Sequence, residues 1–89
     1  MQKISSTAKI LKSVANEKRL KVLYSIMDNE LNVGEIEKLV DLSQSALSQH
    51  LAVLRADNVV KTRRNAQTIY YSIKDERIRQ LLTTIQDLF

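Results

Sequence analysis

Residues 43–55 read Ser43-Gln44-Ser45-Ala46-Leu47-Ser48-Gln49-His50-Leu51-Ala52-Val53-Leu54-Arg55. The spacing of apolar side chains within them decides the fold. Leu47, Leu51 and Leu54 fall at i, i+4 and i+7, which is one face of an α-helix. Residues 44, 45, 48, 49, 52 and 55 then point away from that face. Ser43 supplies the N-cap oxygen, and Asp57-Asn58 ends the helix, with Asn58 suited to the left-handed C′ position usually given to Gly. The outward face offers Gln44, Ser45, Ser48, Gln49 and, further along, Arg55, with no carboxylate. Gln can bond adenine N6 and N7 together, and Ser can donate or accept at several bases, whereas a carboxylate would be repelled by phosphate. An inert surface helix commonly mixes Glu with Lys, so a neutral Ser/Gln face favours base reading over a merely solvated one.

Upstream, Asn32 and Glu35 have the spacing of a capping box and open a short helix carrying Val33, Ile36, Leu39 and Val40. Asp41-Leu42 breaks the chain before Ser43. A short helix, a tight turn and a longer helix form a helix-turn-helix, whose second helix enters the major groove of DNA. Downstream, Val59–Arg64 and Gln67–Ile73 are rich in β-branched and aromatic residues, with Asn65-Ala66 between them as the turn of a β-hairpin. Arg63 and Arg64 flank the tip, supported by Lys61 and Gln67, as a wing that reaches DNA backbone or minor groove requires. The competing reading is a strand edge guarded by cations against aggregation. Tyr70 and Tyr71 alternate across the strand, so one packs inward and the other faces outward.

Ser5 or Ser6 is placed to cap a first helix with Ile4, Ala8, Leu11 and Ala15 on one stripe, flanked by Ile10 and Val14. Asn16 caps a second helix with Glu17 in its first turn and Leu20, Leu23 and Met27 on its apolar side, broadened by Tyr24 and Ile26, stopping near Asp28-Asn29. Asp75 opens a last helix bearing Ile78, Leu81, Leu82, Ile85, Leu88 and Phe89. The predicted order is four helices, a hairpin and a fifth helix: mainly α with a β-hairpin, a winged helix-turn-helix. The stripes of the first and last helices exceed what so small a core needs, so Ile4, Ala8, Leu11, Ile78, Leu81, Leu82, Ile85, Leu88 and Phe89 are expected to form a dimer interface. A twofold dimer would set two recognition helices one turn of DNA apart, matching a palindrome.

Composition agrees. Eighty-nine residues leave room for one domain, 1–89, and no apolar run is long enough to span a membrane. The N-terminus lacks a signal-peptide pattern, so secretion is not expected and a cytoplasmic location is. No Cys and a single His, His50, remove disulfides, thiolate metal sites and most nucleophile–base pairs, so no enzyme, metal or cofactor is expected. His50 lies on the margin of the leucine stripe and reads as a packed, hydrogen-bonded core-edge residue, with a phosphate contact as the alternative. With neither disulfide nor metal, a chain of this size gains its missing burial by oligomerising. The formal net charge is +4. Residues 1–21 carry six basic side chains against one acidic, residues 28–41 five acidic against one basic, and residues 55–74 five basic against one acidic. An acidic segment between two basic ones suits a fold with one face turned to a polyanion, although solvated surface charge has the same signature.

The string from Ser43 to Arg55, with Arg63-Arg64, Ile69-Tyr70-Tyr71-Ser72-Ile73 and Ala15-Asn16-Glu17-Lys18-Arg19-Leu20, resembles the ArsR/SmtB family of bacterial repressors and, within it, the HlyU/BigR-like branch. The resemblance spans nearly the whole chain. It implies a winged-helix homodimer joined through its first and last helices, bound to operator palindromes in double-stranded DNA and often released by an inducer. The family's known sensors are not matched. Asn32 and Gly34 stand at the arsenic-type Cys-x-Cys positions. Arg77 and Leu88 replace the zinc-type His residues beside Asp75, and Tyr24 replaces a thiol-switch Cys. Any inducer is therefore of unknown kind. Ala66 stands where a wing-tip Gly is common, leaving Asn65 to supply the turn. The function expected is sequence-specific repression of transcription. The alternatives are a counter-silencer that activates by displacing a nucleoid protein, and a winged-helix module that binds protein.

Overall fold

The computed structural model describes residues 3–89. Its elements run α1 (Ile4–Val14), α2 (Glu17–Ser25), β1 (Leu31–Asn32), α3 (Val33–Leu39), α4 (Gln44–Ala56), β2 (Val60–Asn65), β3 (Thr68–Ile73) and α5 (Glu76–Leu88). The five helices and the hairpin match the expected winged helix-turn-helix. One element was not anticipated. Leu31 and Asn32 pair antiparallel with Tyr71 and Tyr70, making a three-stranded sheet of order β1-β3-β2.

Local chemistry accounts for most boundaries. Asn16 accepts the Arg19 amide at 3.0 Å and starts α2. Asn32 accepts the Glu35 amide at 2.8 Å while its own N–H donates to Glu35 Oε1 at 3.0 Å, the reciprocal capping box that starts α3. Ser43 Oγ accepts from Ala46 at 3.2 Å and starts α4. At the other end of α4 the Val59 amide donates to Leu54 O at 2.9 Å and the Asn58 amide to Arg55 O at 3.1 Å. With Asn58 at φ 59°, this is the Schellman arrangement, sealed by contact-buried Leu54 and Val59. It turns the recognition helix directly into the first wing strand.

The core gathers Leu47, Leu51 and Leu54 of α4 with Val22 and Leu23 of α2, Ile26, Ile36, Val40, Val59, Val60, Ile73, Ile78 and Leu82. Tyr24 Oη donates to Leu82 O at 3.0 Å, tying α2 to α5. The Arg79 guanidinium donates to the Met27 carbonyl and ties α5 to the segment after α2.

Four details correct the sequence reading. Lys3, not Ser5 or Ser6, occupies the N-cap of α1, because Ile4 already adopts helical geometry; Ser6 Oγ instead donates back to Lys3 O at 3.2 Å. The stripe of α1 that meets the core is Ile10, Ser13 and Val14, whereas Ile4, Ala8, Leu11 and Ala15 face outward. Helix α2 ends at Ser25, with Ile26 buried in the turn that follows. Leu39 is 65% exposed, since Ile36 and Val40, one turn apart, take the buried side of the short α3.

Candidate nucleic-acid interface

The interface is built on α4. Because Leu47, Leu51 and Leu54 anchor one face, the opposite one is fixed in direction, and Gln44, Ser45, Ser48, Gln49 and Arg55 are all exposed. Ser43, also exposed, spends its hydroxyl on the cap. The amides of the first turn leave a partial positive charge at this end of the helix, where a phosphate is favoured. His50 is half-buried at the edge of the stripe, without the side-chain hydrogen bond expected of it among the described residues. No cluster of metal-ligating side chains exists among the described residues.

The wing follows α4 as a two-stranded ribbon, with β2 packed against the helix. Its register places Arg63 opposite Tyr70, Arg64 opposite Ile69 and Asn65 opposite Thr68, so the two-residue loop is Ala66-Gln67, one position later than expected. Ala66 itself adopts the left-handed conformation at φ 57°, which corrects the assignment of the turn to Asn65. Lys61, Arg64 and Gln67 are exposed. Arg64 Nε donates to Ala66 O at 2.9 Å, folding the guanidinium over the tip and bracing the loop.

Arg63 is placed differently from the free cation expected. Its Nε donates to Glu30 Oε1 at 2.9 Å, a second donor of the same guanidinium reaches the same oxygen at 2.5 Å, and its carbon lies 4.8 Å from the centre of the Tyr70 ring. The Arg63 hydrogen bond holds the Glu30 carboxyl below the usual carboxylate range, and Glu30 in turn raises Arg63. Glu30 is the site residue that sequence reasoning missed. It lies 33 positions from Arg63, and β1, the edge strand that Glu30 immediately precedes, is too short to be read from periodicity. Tyr71 packs toward the core while Tyr70 serves Arg63, which resolves the alternation predicted for the pair.

The residues expected at a dimer seam divide into two groups. Ile78 and Leu82 point into the protomer's own core and are unavailable to a partner, because α5 must bury one face against the rest of the chain. Leu81 and Ile85 are half-buried. Ile4 at 59%, Leu11 at 47% and Leu88 at 71% exposure, with Ala8 and Phe89 also open, leave apolar area at the outer faces of α1 and α5.

A recognition helix backed by a leucine stripe, preceded by a capped short helix and followed by a basic hairpin, defines a winged helix-turn-helix regulator. The family model described as "Bacterial regulatory protein, arsR family" matches residues 16–62, from α2 into β2. The chain belongs to this family and is a DNA-binding transcriptional regulator, not an enzyme. It is 46% identical over 90 residues to the transcriptional activator HlyU of Vibrio cholerae, an alignment covering 100% of this chain and 83% of that protein. The structure of reduced HlyU from the same organism superposes with a TM-score of 0.90 at 42% identity, over 99% of this chain and 93% of the other. The transcriptional repressor BigR of Xylella fastidiosa gives a TM-score of 0.90 at 32% identity, over 99% and 90%. A homodimeric winged helix-turn-helix DNA-binding domain from Mycobacterium bovis gives 0.89 at 26% identity, over 96% and 79%. Among the described residues no helix is long and apolar enough to cross a membrane.

Proposed function

We propose that residues 1–89 act as one domain, a homodimeric repressor that lays α4 into the major groove of a palindromic operator and so occludes a promoter. Gln44, Ser45, Ser48 and Gln49 read base edges. Ser43, Arg55, Lys61, Arg64 and Gln67 contact backbone or minor groove, joined by Arg63 once it exchanges Glu30 for phosphate. The single observation that carries this reading is the outward, carboxylate-free Ser/Gln face of α4, held in direction by three buried leucines. The exposed apolar residues of α1 and α5 support the second copy, as does the homodimeric state of the Mycobacterium bovis domain. Repression follows the role of BigR as a transcriptional repressor, and that of HlyU as a transcriptional activator supports the second reading, in which the same groove contacts displace a nucleoid protein. Either role is exercised in the cytoplasm, at the nucleoid, with no cofactor and with release by an inducer of unknown kind.

The test is fluorescence anisotropy on a duplex selected from a random pool and on its scrambled counterpart. Gln49→Ala should cost about 1–3 kcal/mol on the selected site and little on the scrambled one. Arg64→Ala should weaken both alike and reduce the slope of log K against log salt by about 0.9. Equal losses on both duplexes for Gln49→Ala would remove its reading role.

A further inference from the structure

The sheet sets Asn32, Tyr70 and Arg63 in one row, since Asn32 pairs with Tyr70 and Tyr70 with Arg63. Glu30 immediately precedes β1, and its carboxylate reaches across the central strand to accept from two guanidinium nitrogens of Arg63 beside the Tyr70 ring. The contact joins the two outer strands over the middle one. Among the described residues it is the one side-chain hydrogen bond that leads out of the hairpin. Two residues beyond Glu30, the backbone of Asn32 pairs with β3, while its side chain and amide close the capping box that starts α3. With two residues, β1 is too short to hold its place by strand pairing alone. An exposed ion pair and a stacked ring each contribute little, but together they shift so marginal a pairing severalfold.

We infer that Arg63 and Glu30 form a strap across the sheet, fastened in the free protein and opened by a DNA phosphate, so that wing contact loosens β1 and the start of α3. This rests on the reading above in which Arg63 exchanges Glu30 for phosphate. Both side chains are partly open to solvent, so a phosphate oxygen can replace the carboxylate at the same donors. Glu30 is then an unpaired anion beside a polyanion, and like charge drives it from the sheet. While the strap is closed, the wing and the first helix of the helix-turn-helix are held to one another. Once it opens, α3 and the recognition helix that follows settle in the groove as the wing tracks the backbone.

The experiment uses the whole chain, uniformly labelled with nitrogen-15, with hydrogen exchange at the Leu31, Asn32 and Glu35 amides followed by NMR, free and on a selected duplex. In the free protein Glu30→Gln and Arg63→Gln undo the strap from opposite ends. Both should speed exchange severalfold at these amides and leave the Leu51 amide, in the core, unchanged. The ratio of bound to free exchange rates should be severalfold higher in the unaltered chain than in either variant. Direct shielding by nearby DNA is common to all three proteins, and the strap's share is the part that disappears. Exchange at Leu31 and Asn32 indifferent to both substitutions, or an equal ratio in the three proteins, overturns the inference. Anisotropy on the same duplex separates the two failures. If Glu30→Gln alters the salt dependence of binding while β1 exchange stays fixed, the strap alone falls. If the salt dependence is also unaltered, the exchange of Arg63 onto phosphate falls and the strap with it.

Discussion

In the free protein Arg63 is already neutralised, which makes Glu30→Gln the most informative single change in the wing. Two nitrogens of the Arg63 guanidinium donate to one Glu30 oxygen, at 2.9 and 2.5 Å, and the guanidinium rests on Tyr70. A cation held by a carboxylate gives up that partner before it can neutralise a phosphate. Removing the charge of Glu30 while keeping its shape hands Arg63 to the DNA. To the extent that Glu30 withholds Arg63 in the wild type, up to one further phosphate is neutralised, which steepens the slope of log K against log salt by up to about 0.9, so the loss of affinity between about 50 and 200 mM salt should grow by up to roughly threefold. Binding at low salt should strengthen in parallel, on cognate and scrambled duplexes alike, because a phosphate contact carries no sequence information. Anisotropy across that salt range reads both quantities, with Arg64→Ala as a control that flattens the slope. If Glu30→Gln instead weakens binding, the carboxylate is positioning Arg63 for DNA. If slope and affinity are both unchanged, Arg63 does not reach the backbone. Either result refutes the competition argued here.

Three further outcomes follow from packing, backbone and charge. Leu51→Ala, in the centre of the core, should cost about 2–5 kcal/mol and lower Tm by roughly 4–8 °C for each kcal/mol, measured by thermal circular dichroism. Ala66→Gly removes the left-handed strain of a Cβ, about 1–2 kcal/mol, but adds about 0.4–1 kcal/mol of unfolded-state entropy, so a net gain near 0.5–1 kcal/mol is expected in urea unfolding. Glu30 and Asp75 are held below the usual carboxylate range, first by hydrogen bonds from Arg63 and Arg77 respectively. Their contribution is therefore full above the unfolded value near pH 4 and lost as pH falls through the lower folded values. Tm should drop on acidification below about pH 4, and less steeply in a Glu30→Gln, Asp75→Asn double variant.

What the sequence disclosed was local, and what it withheld was pairing. The capping box at Asn32, the caps at Asn16, Ser43 and Asp75, and the left-handed Asn58 each depend on residues within four positions, so their chemistry can be read from the string. The outward direction of Gln44, Ser45, Ser48 and Gln49 was legible for the same reason, since Leu47, Leu51 and Leu54 share one helix. By contrast β1 is two residues long and exists only because β3 lies beside it. The Arg63–Glu30 pair depends on that same juxtaposition. Helix α1 carries apolar residues on two sides, and periodicity cannot tell which side its own core uses. The core took Ile10 and Val14, leaving Ile4 and Leu11 outside. In α5 the choice between neighbours Leu81 and Leu82 was decided by packing on α2, where Tyr24 fixes the Leu82 carbonyl. The hairpin turn moved by one residue against local preference, with Ala66 accepting a conformation that Asn65 would have taken more readily.

Hydroxyl-radical and methylation footprinting of the purified chain on a selected duplex probes most directly whether two copies of α4 read DNA. The account predicts two symmetric patches of major-groove protection, centred about one helical turn apart, both lost in a Ser48→Ala, Gln49→Ala double variant that remains folded. A single unpaired patch, protection confined to the minor groove, or a footprint that survives those two substitutions would contradict it.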